Sequence, residues 1–169
     1  RVHSEMELWQ RIIAGHEDVP KSGVAPFSDI LFFGTLAQRQ ELISLMSKNF
    51  QPVFAPILRI ALNDSNNAIR VQAASAITVI EDDFLRRSLS LAASVRENPK
   101  DPSLLLKLAR FNDEYAGAGI LDKDREEDSR SKALEAYSAY LQINSKDQEA
   151  RTAVGRLFLR AKKYEEARS

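Results

Sequence analysis

No cysteine occurs among the 169 residues, which removes disulfides, thiolate metal sites and cysteine nucleophiles together and fits a reducing compartment. An excess of either charge is missing too. The formal net charge is +0, so no long-range field draws the chain to nucleic acid, and no nucleic-acid partner is expected. His3 and His16 are the only histidines; far apart and with no third ligand nearby, they do not make a metal site. No apolar run approaches the roughly 18 residues that span a bilayer, and no signal-peptide pattern is present. Phosphate loops and nucleophile elbows are absent, and Gly117-Ala118-Gly119 lacks the preceding strand and third glycine of a dinucleotide loop. No cofactor is expected. Glycine and proline number six each and sit mostly at breaks, while β-branched alternation is rare. What remains is an all-α chain without an advertised catalytic site.

Apolar spacing supplies the helices. Val2, Met6, Trp9 and Ile13 predict an amphipathic helix ending near Gly15, a stripe that packs on the first repeat or lies near a membrane or partner. Residues 16–27, with Pro20, Gly23 and Pro26, read as a linker. A helical region over 28–50 breaks at Gly34, where Thr35 and Gln38 form a capping-box pattern. Phe54, Ile57, Leu58, Ala61 and Leu62 make one stripe, and Ile69, Ala73, Ala76, Ile77 and Ile80 another. Val71, Ala74 and Thr78 suggest burial of that second helix on two sides. Further helices are expected over 82–97 and 102–116, then around Ala133–Leu141 and after Asp147. The stretch 117–130, rich in charge, reads as an inserted loop. Glu81, Asp82 and Asp83 stand where a helix is expected to begin, so the helix dipole accounts for them better than acid–base chemistry does. Phe32, Phe33, Phe111, Tyr115 and Tyr137 are read as packing residues.

Two junctions, 98–102 and 144–147, punctuate the chain alike. Measured from them, the downstream apolar residues resemble tetratricopeptide repeats, whose period is about 34 residues. Leu108-Ala109 and Val154-Gly155 fall on one register position, Ala133 and Ala167 on another, with Tyr137 and Phe158 as packing aromatics. The interval from Ala109 to Ala133 exceeds one repeat by about a third of that period. Upstream, Leu62-Asn63-Asp64 followed by Arg70 and Ala73-Ala74 resembles the turn and second helix of a HEAT repeat, with Asp64 and Arg70 tying the turn. The expected architecture is a right-handed α-solenoid of helical hairpins: an N-terminal helix and linker over 1–27, HEAT-like repeats over 28–81 and tetratricopeptide-like repeats over 82–169. Stacked hairpins bury one face and offer the other to a partner.

That order of repeats, with the stretches Phe54-Ala55-Pro56-Ile57-Leu58-Arg59 and Ile69-Arg70-Val71-Gln72-Ala73-Ala74, resembles the E-protein family of the Pel exopolysaccharide biosynthesis machinery of Gram-negative bacteria. The resemblance implies a non-catalytic scaffold at the cytoplasmic face of the inner membrane. Its implied partners are a membrane-embedded transport subunit, a cytoplasmic glycosyltransferase and a cyclic-di-GMP receptor. A start at Arg1 and a stop at Ser169 suggest a soluble piece of a longer membrane protein. The alternative is a repeat adaptor of another envelope or secretion assembly.

The candidate partner-binding residues are Arg110, Asp113, Arg156, Leu159 and Arg160. Arg110 and Arg156 share a register that faces the groove in tetratricopeptide arrays, where two guanidinium forks suit carboxylates of an acidic segment. The plainer reading pairs each with a neighbouring acid on a solvated surface. Glu149 and Thr152 stand where chaperone-binding members carry Lys and Asn, which argues against a chaperone adaptor. Arg156, Arg160 and Lys163 form a basic stripe that suits anionic lipid or an acidic partner, and equally a solvated face. An unfinished last hairpin leaves an apolar edge, so a homodimer through terminal hairpins is expected.

Overall fold

Five of the described helices begin just after a short polar side chain that accepts from their first amides: Thr35, Asn66, Asp101, Asp122 and Asp147. The computed structural model describes residues 25–169 together with Glu7 and Arg11, both helical and exposed. Otherwise the helix expected over the first fifteen residues lies outside the described residues. The described helices are α1 (Ala25–Phe33), α2 (Leu36–Lys48), α3 (Ala55–Leu62), α4 (Asn67–Glu97), α5 (Pro102–Ala118), α6 (Lys123–Ile143) and α7 (Gln148–Arg168). A 3-10 turn, Pro52–Phe54, precedes α3, and no strand occurs among the described residues. The all-α expectation is met. The chain divides into two compact units, 1–82 and 83–169, with the division falling inside α4.

In the first unit, α1 starts earlier than its punctuation suggests. Pro26 lies in the first turn, where a missing N–H leaves no bond unmade, and Phe27 is fully buried with Ile30 and Leu31. Thr35 caps α2: its hydroxyl accepts from the Gln38 amide at 3.2 Å, and the Gln38 side chain accepts from the Thr35 amide at 2.9 Å. Leu42, Ile43 and Met46 of α2 join Phe54, Ile57, Leu58 and Ala61, and Ile69, Ala73, Ala76 and Ile80 of α4 bury the matching stripe. The α3–α4 turn is tied as its residues suggest. Arg70 Nη1 donates to the Asp64 and Ser65 carbonyls at 2.6 and 3.1 Å, and Asp64 accepts both Arg39 Nη1 (2.9 and 3.1 Å) and the Asn66 amide (2.8 Å).

Three expectations fail here, the first two because an amphipathic helix with one neighbouring layer buries one side only. Val71, Ala74 and Thr78 are exposed, so α4 is not buried on two sides in this unit. Phe32 and Phe33 are 64% and 77% exposed rather than packed. No helix starts at residue 82, because α4 runs unbroken through Glu81, Asp82 and Asp83. Asp83 instead holds Arg86 at 2.6 Å and Arg87 at 3.7 Å, pairs one turn ahead on the same helix.

The second unit is built on three short connections. Asp101 caps α5 by accepting from the Ser103 and Leu104 amides, at 2.9 and 3.3 Å, and Gly119 ends that helix at φ 77°, a left-handed conformation that glycine adopts without strain. Asp122 caps α6 through the Arg125 amide at 2.8 Å, and Asp147 caps α7 through the Ala150 amide at 3.1 Å. The charged stretch 117–130 is therefore not an inserted loop: only residues 119–122 separate α5 from α6. Asp124 and Glu126 of this stretch lie in the first turn of α6, where negative charge complements the helix dipole. Glu126 and Glu127 both hold Arg130, at 3.0 and 3.2 Å.

Ala109 of α5 and Ala133 of α6 are completely buried, as their register predicts, and Tyr137, Tyr140, Ala150, Ala153 and Leu157 complete the core. Close helix approach at alanines brings the α5–α6 pair together. The register read for the last helix does not hold. α7 is one continuous helix that buries Ala150, Ala153 and Leu157, whereas Gly155 faces open space and Phe158 and Ala167 are exposed.

Candidate interaction groove

Two turns of α5 place Leu106, Arg110 and Asp113 on a common side, and two turns of α7 present Glu149, Thr152 and Arg156. Together with Tyr137 of α6 they line an open groove of about 510 Å³. Asp113 is its pivot. Arg156 donates through both terminal nitrogens to the two Asp113 oxygens, at 2.9 and 2.5 Å, and the Tyr137 hydroxyl donates to Asp113 Oδ2 at 3.3 Å. With three donors on one carboxylate that is only 13% exposed, Asp113 binds α5, α6 and α7 together. The same contacts hold the Arg156 guanidinium more firmly protonated than usual, first through the hydrogen bond to Asp113.

Tyr137 responds in the same sense. Burial, then the charge and hydrogen bond of Asp113, push its hydroxyl up to about 12 from 10.0. The folded state thus favours the protonated phenol, and that stabilisation is complete below about pH 10 and disappears as pH rises through about 12. Chemical unfolding at about pH 9 and about pH 11.5 is expected to show lower stability at the higher value. A Tyr137→Phe chain should lose less over the same interval; an equal decline would contradict the assignment.

Arg110 differs from Arg156. Its one ion pair among the described residues is with Glu149 at 3.5 Å, and Glu149 is 85% exposed, so the contact is long, screened and worth little. Arg160 lies in a neighbouring hollow of about 260 Å³ that shares Asp113 and Arg156 with the first and adds Glu126 and Arg130. The Asp113–Arg156 bridge is therefore the partition between two hollows. Leu159 lines neither hollow and is 64% exposed. The structure thus brings Arg110, Asp113 and Arg156 together and puts Arg160 next door.

Sequence reasoning missed Leu106, Glu114 and Gln148 as groove residues. A signal was there: Leu106-Arg110-Asp113 and Glu149-Thr152-Arg156 each spread over two helical turns, with charges of opposite sign across from each other. Among the described residues no group of three or more His, Asp or Glu side chains is placed to hold a metal ion, and no helix is long and apolar enough to cross a membrane. The chain matches no protein-family model, no curated protein and no solved structure.

Proposed function

We propose that the chain is a non-catalytic docking module whose α5–α7 groove takes an acidic stretch of a partner polypeptide. What supports this is the unequal commitment of the two guanidiniums in one open groove. Arg156 is engaged by both oxygens of Asp113, while among the described residues Arg110 has a single long contact to an exposed glutamate that a partner carboxylate displaces at little cost. Arg110 is then the recognition residue and Arg156 the brace. Arg160 extends the reach of a bound segment past the bridge.

The proposal extends to architecture and setting. The helical hairpins are read as a right-handed solenoid, HEAT-like then tetratricopeptide-like, and the module as a scaffold of a Pel-type exopolysaccharide synthase at the inner membrane. There it joins a transport subunit, a glycosyltransferase and a cyclic-di-GMP receptor. This setting rests on the resemblance carried by the order of repeats and the stretches 54–59 and 69–74.

The test is co-precipitation of each of those three components, co-expressed with the tagged chain and with its Arg110→Glu variant. Capture of at least one component is expected, reduced about tenfold or more by the reversal of charge, with melting within about 0.5 kcal/mol of the parent. Capture of none removes the Pel assignment. Capture that Arg110→Glu leaves unchanged removes the groove.

A further inference from the structure

A second groove, of about 480 Å³, lies in the same unit between the C-terminal half of α4 and α6, floored by α5. It exists because the side chains that should fill it are short. Ala92 on α4 and Ala136 and Ala139 on α6 face it, over a floor of Leu105 and Leu108. Val95, Leu108 and Ala139 pack against the core of the unit yet stay partly exposed. The hollow is about three times a cavity that holds one benzene ring (~150 Å³), so it has room for roughly three apolar side chains.

The walls decide what kind of occupant fits. Apart from Pro99 in the α4–α5 connection, all are helices, whose backbone donors and acceptors are spent internally, so an extended peptide finds no strand edge to pair with. The polar group at the bottom is Ser88, whose hydroxyl already donates to Asn112 Oδ1 at 3.3 Å. Nothing on the floor is left to orient a small polar molecule. Each wall contributes apolar residues three or four apart, which repeats the hollow once per helical turn. The rims carry charge of opposite sign: Arg96 on α4 and Glu135 on α6, neither with an ion pair among the described residues. Lys132, the third charged residue on the rim, is held by Asp128 at 2.8 Å.

We propose that this groove docks an amphipathic helix of a partner protein. The helix presents apolar residues at i, i+3 or i+4 and i+7, an acidic residue on the flank facing α4 and a basic residue on the flank facing α6. The site is separate from the Arg110 groove and does not depend on it.

The probe is a synthetic helical peptide of about 14 residues with that pattern, compared with a second peptide whose acidic and basic flanks are exchanged. Both are titrated against the 169-residue chain and followed by amide chemical shifts. Binding of the first peptide with a Kd of roughly 10–100 μM is expected, with the exchanged peptide about fivefold weaker. Ala92→Trp fills the hollow and should abolish binding while circular dichroism is unchanged. Arg96→Glu, a surface change, should narrow or invert the preference between the two peptides. The proposal is overturned by absence of binding at about 1 mM peptide, by binding that survives Ala92→Trp, or by indifference to the charge exchange. Sedimentation showing self-association that Ala92→Trp abolishes would also overturn it, since a second copy would then be the occupant.

Discussion

Replacing Phe27 by alanine is expected to destabilise the first unit by about 3–5 kcal/mol, the range for truncating a fully enclosed aromatic side chain. Phe27 has no exposed surface and sits on α1 with Ile30 and Leu31, against α2 and α3. Loss of the ring removes its transfer free energy and leaves a void that helices already closed on each other cannot fill. The control is on the same helix. Phe33 is largely exposed, and Phe33→Ala is expected to change stability by no more than about 0.5 kcal/mol. Amide hydrogen exchange separates the units: Phe27→Ala should accelerate exchange in α2 and α3 and leave α5–α7 as before. Equal small effects of the two substitutions would mean that α1 does not belong to this core.

Phe27 also shows where reading the chain stops working. Pro26 and Gly23 look like linker punctuation, yet proline in a first helical turn is as much a start signal as a breaker. The charged run 117–130 misled in the same way. Composition said loop, but Asp122 is a cap, and Glu126 and Asp128 stand one turn before Arg130 and Lys132, the spacing of helical ion pairs. Local chemistry with short reach was legible: the Thr35–Gln38 box, the Asp64–Arg70 turn, and the buried alanines 109 and 133. The last helix was not, because Val154-Gly155 and Phe158 imitate a repeat register while burial follows Ala150, Ala153 and Leu157. In the groove, the types and places of Arg110, Asp113 and Arg156 were legible. That Asp113 would satisfy Arg156 across 43 residues of sequence was not, since such pairing follows only from how α5 and α7 pack.

Asp64→Ala should produce a loss as large as Phe27→Ala, by electrostatics rather than by volume. The Arg39 and Asp64 side chains are both mostly buried, and Arg39 Nε already has no hydrogen-bond partner among the described residues. Removing the carboxylate takes away both remaining bonds of that guanidinium to Asp64 and the acceptor of the Asn66 amide. A buried charge left without its partner costs about 3–5 kcal/mol. Asp64→Asn keeps an acceptor for Asn66 but not the charge, so a smaller loss of about 1.5–3 kcal/mol is expected. Arg70 is untouched in either case, because it donates to backbone carbonyls. Pairing Asp64→Ala with Arg39→Met isolates the ionic part: once the orphaned guanidinium is gone, the double variant should recover about 1.5–3 kcal/mol relative to the sum of the single losses. Urea unfolding of the four chains of the cycle measures this. Additivity within about 0.5 kcal/mol would mean that water already solvates Arg39, and that the turn is held by Arg70 and the backbone rather than by the ion pair.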